Sequence, residues 1–131
     1  MNERAMDQIS VERTLTQAEF DLFARLSGDD NPIHVDPDFS ARTRFGRTVA
    51  HGVFLYSILR GLADRLAPGG RQAAQEVRFP APTYAGEPMR FEAWVESQTS
   101  DGAEIGIRAI RIADGVVTCD GRTVLLQGDD E

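Results

Sequence analysis

Asp29 and His34 stand five positions apart in the segment Ser27-Gly28-Asp29-Asp30-Asn31-Pro32-Ile33-His34. A carboxylate and an imidazole that share one water make an acid–base pair. Imidazole titrates near neutral pH, and a nearby carboxylate fixes its tautomer. Pro32 removes a backbone donor and restricts Asn31 to extended geometry, so an ordered loop from Asp29 to Val35 can aim both side chains at a common point. The same residues are also turn formers, and Asp-Asp-Asn-Pro can close a helix without doing any chemistry. On the residues alone both readings stand. Metal binding has less support. The chain holds two histidines and one cysteine, with neither an HxxxH nor a Cys/His spacing, so no metal is expected. Cys119 lies in an alternating stretch and reads as a small sheet or core residue rather than a nucleophile.

Val49-Ala50-His51-Gly52 supplies a second element. Leu55, Ile58, Leu59, Leu62 and Leu66 follow the three-four spacing of an apolar stripe, which predicts a helix from near Gly52 to about Leu66. Pro68-Gly69-Gly70 ends it. It is the most hydrophobic helix in the chain and belongs at the centre of the fold. A helix start presents free amides and partial positive charge, and a glycine there lets a ligand reach the backbone. That suits a carbonyl whose oxygen gains charge during reaction. Gly52 can equally serve close helix packing.

Other elements must hold these groups. Thr16-Gln17-Ala18-Glu19 is a capping box, so a helix begins after Thr16 and stops at Gly28. Phe20, Phe23, Ala24 and Leu26 mark its expected buried side. Asp36-Pro37 starts a short helix. Gln8 to Thr14 reads as a short first strand. After Gly70 the pattern turns to strands: Gln75 to Phe79, then a run in which Met89, Phe91, Ala93 and Val95 alternate, then Ala103 to Ile112, then Val116 to Leu126. The alternation slips between Ala109 and Ile110, which predicts a bulge or strong twist. Asp114-Gly115 is a hairpin turn. Antiparallel strands and one central apolar helix give an α+β architecture in a single domain, 1–131.

The formal net charge is −7, which disfavours nucleic acid as a partner. It also repels a phosphate-rich ligand at long range, but a local group of arginines can overcome that, and every basic side chain apart from the histidines is an arginine. No apolar run reaches the length of a membrane span, and the single thiol suits a reducing compartment. A cytoplasmic protein is expected.

The segment Ser27–His34, with Ala50-His51-Gly52 downstream, resembles the signature of the MaoC-like, R-specific enoyl-CoA hydratases: S/T-G-D-x-N-P-hydrophobic-H, then H-G at a helix start. Val77-Arg78-Phe79-Pro80-Ala81-Pro82-Thr83-Tyr84-Ala85-Gly86-Glu87 resembles that family's strand and turn after the helix. The resemblance runs from about Leu15 to Leu126. It implies a hot-dog fold, a curved antiparallel sheet wrapped around a long helix, and a homodimer. It implies the addition of water to trans-2-enoyl thioesters to give the (R)-3-hydroxyacyl product. Asp29 and His34 are then the catalytic pair, Gly52 binds the thioester carbonyl, and Asn31 orients the loop or touches substrate. No separate cofactor is implied, because coenzyme A or acyl carrier protein is part of the substrate. Position 60 departs from the pattern: acyl-binding relatives carry a small residue there, and this chain has Arg60. Arg60 is either an exposed partner of Asp64 one turn on or, with Tyr56, lines a pocket for a polar or carboxylated acyl group. Two rival readings are a hot-dog thioesterase and a non-catalytic acyl-thioester-binding subunit.

Overall fold

The computed structural model describes residues 7–127. The chain runs β1 (Gln8–Thr14), α1 (Gln17–Ser27), α2 (Pro32–Val35), α3 (Pro37–Ala41), α4 (Gly52–Leu66), β2 (Arg71–Arg78), β3 (Pro88–Thr99), β4 (Gly102–Arg111) and β5 (Val117–Leu126). Local chemistry starts and stops the helices that matter for function. The Thr16 hydroxyl accepts from the Glu19 amide at 3.2 Å, and the Glu19 carboxylate accepts from the Thr16 amide at 2.9 Å. Two of the donors that a helix start leaves free are thereby satisfied. Gly28 ends α1 in the left-handed region, at φ 83°, where a residue with a Cβ is strained. Asn31 caps α2 and Asp36 caps α3, each with proline in the first turn.

The strands form one antiparallel sheet in the order β1-β3-β4-β5-β2. Period-2 alternation aims Met89, Phe91 and Ala93 of β3, Ile105, Ile107 and Ala109 of β4, and Cys119 and Leu125 of β5 at one face. Leu55, Leu59, Leu62, Ala63 and Leu66 of α4 fill that face, and all are buried. Each large aliphatic or aromatic side chain so buried stabilises by about 1.5–3 kcal/mol. A helix gripped by an antiparallel sheet is the hot-dog arrangement. The register slips between Ala109 and Ile110 where β4 pairs with β5, as the broken alternation predicts.

The other face carries the arginines. Glu12 stands opposite Arg90, Glu92 opposite Arg108, Glu76 opposite Arg122 and Arg78 opposite Asp120. Each of these pairs closes an ion pair at 2.9–3.4 Å. Opposite charges facing each other across strands favour this register. Four of the fourteen arginines therefore serve strand pairing.

Several expectations need correction. The Asp29–Val35 loop contains a helical turn, α2, because Asn31-Pro32 makes the same cap and first-turn proline as Asp36-Pro37. Leu26 is 77% exposed. Six positions beyond Phe20, it falls off the stripe that buries Phe20 and Ala24. On α4, Ala63 is buried while Ile58 is only half-buried. The strand placed at Gln75–Phe79 begins at Arg71 and ends at Arg78. Pairing with β5 across an irregularity at Gln72/Ala74 extends it through residues that show no alternation. The last strand begins at Val117.

Candidate active site

The site grows from three hydrogen bonds, each between residues two apart, in the Ser27–Ile33 stretch. The Asp29 amide donates to the Ser27 hydroxyl at 3.1 Å, the Asn31 amide to the Asp29 carboxylate at 3.4 Å, and the Ile33 amide to the Asn31 side-chain oxygen at 3.1 Å. These Asx-type turns set Asp29 before α2 with its side chain 58% exposed. Asn31 thus acts first on the loop, as the cap of the turn that carries His34.

His34 is 9% exposed and firmly held. Its carbonyl accepts from the Gln17 amide group at 2.9 Å, and Gln17 in turn accepts from the Thr48 hydroxyl. The buried Ser40 hydroxyl donates to the Ile33 carbonyl at 3.2 Å. The His34 ring places Nδ1 2.8 Å from the Val49 carbonyl oxygen. A carbonyl only accepts, so Nδ1 carries the hydrogen and Nε2 of the neutral ring presents a lone pair. That lone pair faces Asp29: Nε2 lies 3.9 Å from Oδ2. The gap is too long for a direct hydrogen bond and fits one water bonded to both at about 2.8 Å.

His51 completes the group. Its Nε2 lies 2.8 Å from the Asp29 carbonyl oxygen, and its ring stacks on that of His34 with centroids 3.8 Å apart. Its other contact is Phe23 at 4.8 Å, which stacks on Phe54. Burial pulls the His51 pKa below the ordinary 6.5, the bond to Asp29 opposes that, and the neighbouring His34 adds to the lowering. Since His51 directly precedes Gly52, its bond to Asp29 brings the start of α4 beside the pair. Gly52 has a second use. A Cβ there would come within 2.8 Å of the Phe79 ring, so the packing reading of this glycine has a named partner. A cavity of about 300 Å³ lies at this helix start, lined by Arg44, Ala50, Gly52, Leu55, Phe79 and Thr83 among others.

Ligand atoms of Asp29, His34 and His51 lie within 4.8 Å of one another. His51 Nε2 and His34 Nδ1 are engaged with carbonyls. That leaves His34 Nε2, the Asp29 carboxylate and the buried His51 Nδ1 as the donors not taken up by a carbonyl. Tyr56 and Arg60 are not at this centre. Both donate to the Gln72 side-chain oxygen, at 2.7 and 3.0 Å, where the Thr123 hydroxyl also donates at 3.1 Å. Arg60 Nη1 is 3.9 Å from Asp64. Cys119 is fully buried, which pushes its thiol up to about 12, with Asp120 adding to the effect.

Fold and site together define a hot-dog domain with an Asp–His pair at the start of its central helix. Over residues 3–114 the sequence matches the family model described as a MaoC like domain, and the chain belongs to that family. It is 37% identical over 86 residues to the (R)-specific enoyl-CoA hydratase of Aeromonas caviae, covering 64% of this chain and 64% of that one. It is 40% identical over 83 residues to 3-hydroxyacyl-thioester dehydratase Z of Mycobacterium tuberculosis, covering 59% of this chain and 55% of that one. The aligned stretches thus span less than two thirds of these curated relatives. The solved (R)-hydratase of A. caviae superposes with a TM-score of 0.86 at 28% identity, covering 96% of this chain and 98% of that one. No helix among the described residues is long and apolar enough to cross a membrane.

Proposed function

We propose that this chain is a hydro-lyase that adds water across the double bond of trans-2-enoyl thioesters, giving (R)-3-hydroxyacyl thioesters, and catalyses the reverse dehydration. The observation that carries this reading is the 3.9 Å gap between the Asp29 carboxylate and a His34 Nε2 whose lone pair is fixed by the Val49 carbonyl. The family and its named relatives support the same chemistry.

Each group then has a task. Asp29 accepts one O–H of the water and holds it. His34 Nε2 takes the other proton as the oxygen attacks C3. A proton returns to C2 on the same face, so one water is divided between C3 and C2. The Gly52 amide, at the positive end of α4, holds the thioester oxygen as it gains enolate charge, a donor worth roughly 3 kcal/mol. Coenzyme A or acyl carrier protein travels with the substrate, and no separate cofactor takes part. Two copies pair edge to edge: β2 ends the sheet with seven of its eight residues exposed, and an unpaired edge invites a partner.

The thioesterase reading has less support. Asp64 is the acidic residue of α4, and it lies twelve positions beyond Gly52, about 18 Å along the axis. Following enoyl-thioester absorbance and free thiol together tests the choice. Loss of absorbance without thiol release is expected; thiol release without hydration would replace the hydratase reading.

A further inference from the structure

We propose that His51 is a positioning residue of the Asp29–His34 pair, anchoring the Asp29 main chain through Nε2 and setting the plane of the His34 ring by stacking on it. This rests on the hydratase reading of the site.

Its location makes the case. His51 is the N-cap residue of α4 yet makes no side-chain capping bond. Serine, threonine, aspartate or asparagine at that position would offer an oxygen to the free amides of the first turn. The ring turns back to Asp29 instead, and a local rule set aside in this way is typical of functional sites. The contact with the Asp29 carbonyl requires hydrogen on Nε2. Nδ1 is left buried with no partner, and protonating it would bury an unpaired N–H⁺. His51 therefore stays neutral, and His34 is the member of the stack that takes the water proton. Phe23 backs the His51 ring on another side and leans on Phe54 of α4. The wedge ties α1, α2 and α4 into one frame, so the water gap is set by packing rather than by loop geometry alone. Misplacement of about 1 Å in such a frame can cost a hundredfold in rate.

Two variants separate the contacts. His51→Phe keeps a ring to stack and loses the donor; His51→Gln keeps an N–H near Nε2 and loses the stack. Nitrogen-15 spectra of the imidazoles are read at neutral pH, where the chain's two histidines give two ring systems. Turnover, KM and thermal midpoint on an enoyl thioester are measured beside them. The parent is expected to show His34 protonated on Nδ1 and His51 on Nε2. His51→Gln, which frees the ring plane that aims Nδ1 at Val49, should mix the His34 tautomers, and both variants should lower kcat about tenfold or more, with KM within about threefold and the fold retained. The variant that falls further identifies the dominant contact. Unchanged His34 tautomers with kcat within about twofold in both variants would overturn the proposal, as would a loss of kcat that only tracks the folded fraction. If the parent hydrates no enoyl thioester, the hydratase reading fails, and the tautomer spectra still decide for or against positioning.

Discussion

In the proposed reaction His34 can serve as the base because a carbonyl takes one of its nitrogens. The Val49 oxygen at 2.8 Å fixes hydrogen on His34 Nδ1, which leaves the Nε2 lone pair facing the Asp29 carboxylate at 3.9 Å. From the residue types and the five-residue spacing the sequence showed that Asp29 and His34 could face a common point. The tautomer was not legible, because Val49 is fifteen positions away. His51 was visible as part of the His51-Gly52 pair, but nothing local in the sequence told that its ring would reach back to Asp29. Arg60 poses the sharpest question at this scale. It shares the Gln72 oxygen with Tyr56 and sits 3.9 Å from Asp64. A guanidinium with one neutral acceptor and one long ion pair has donors to spare for an acyl carboxylate. If it serves that end, Arg60→Ser will shift kcat/KM from carboxylated toward plain acyl substrates. If it only braces α4, the change will cost well under about 1 kcal/mol in thermal stability and leave the ratio unaltered. The ratio before and after substitution decides between them.

Elements place these residues through capping and sheet pairing, and the two were not equally legible. Caps are local: the Thr16 box, the Gly28 stop and the Asp36-Pro37 start all stand where the sequence puts them. The Asn31-Pro32 start of α2 used the same signal in four residues, too few for any periodicity to show. Edge strand β2 was legible only in its second half, since its bounds come from pairing with β5 and its exposed residues need not alternate. Phe79 leaves the strand before Pro80 and covers Gly52, joining the strand end to the start of α4. Gly52→Ala tests what that contact means. The ring is 44% exposed and can swing aside. If the Gly52 amide holds a substrate oxygen, the displaced ring and added methyl will lower kcat/KM about tenfold or more with little change in melting temperature. If Gly52 serves packing alone, the melting temperature will fall and activity per folded molecule will stay.

On the scale of the whole molecule, one sheet and one helix were legible from the change of period at Gly70, and the sheet order was not. Strand order β1-β3-β4-β5-β2 depends on which edges meet, and that is set by nonlocal pairing. The cross-strand pairs Arg78–Asp120 and Arg122–Glu76 record it in charge, a signal that sequence distance hides. An open edge at β2 bears on assembly. Sedimentation is expected to give a stable dimer at micromolar concentration, the usual closed form for a self-pairing edge, and a stable monomer there would contradict the edge-to-edge pairing. The central claim concerns the water between Asp29 and His34. The most direct measurement is turnover of a trans-2-enoyl thioester by the parent, His34→Ala and Asp29→Asn, each checked for an intact fold. A loss of about a hundredfold or more in both variants is the expected result. Near-normal hydration by His34→Ala would contradict the account.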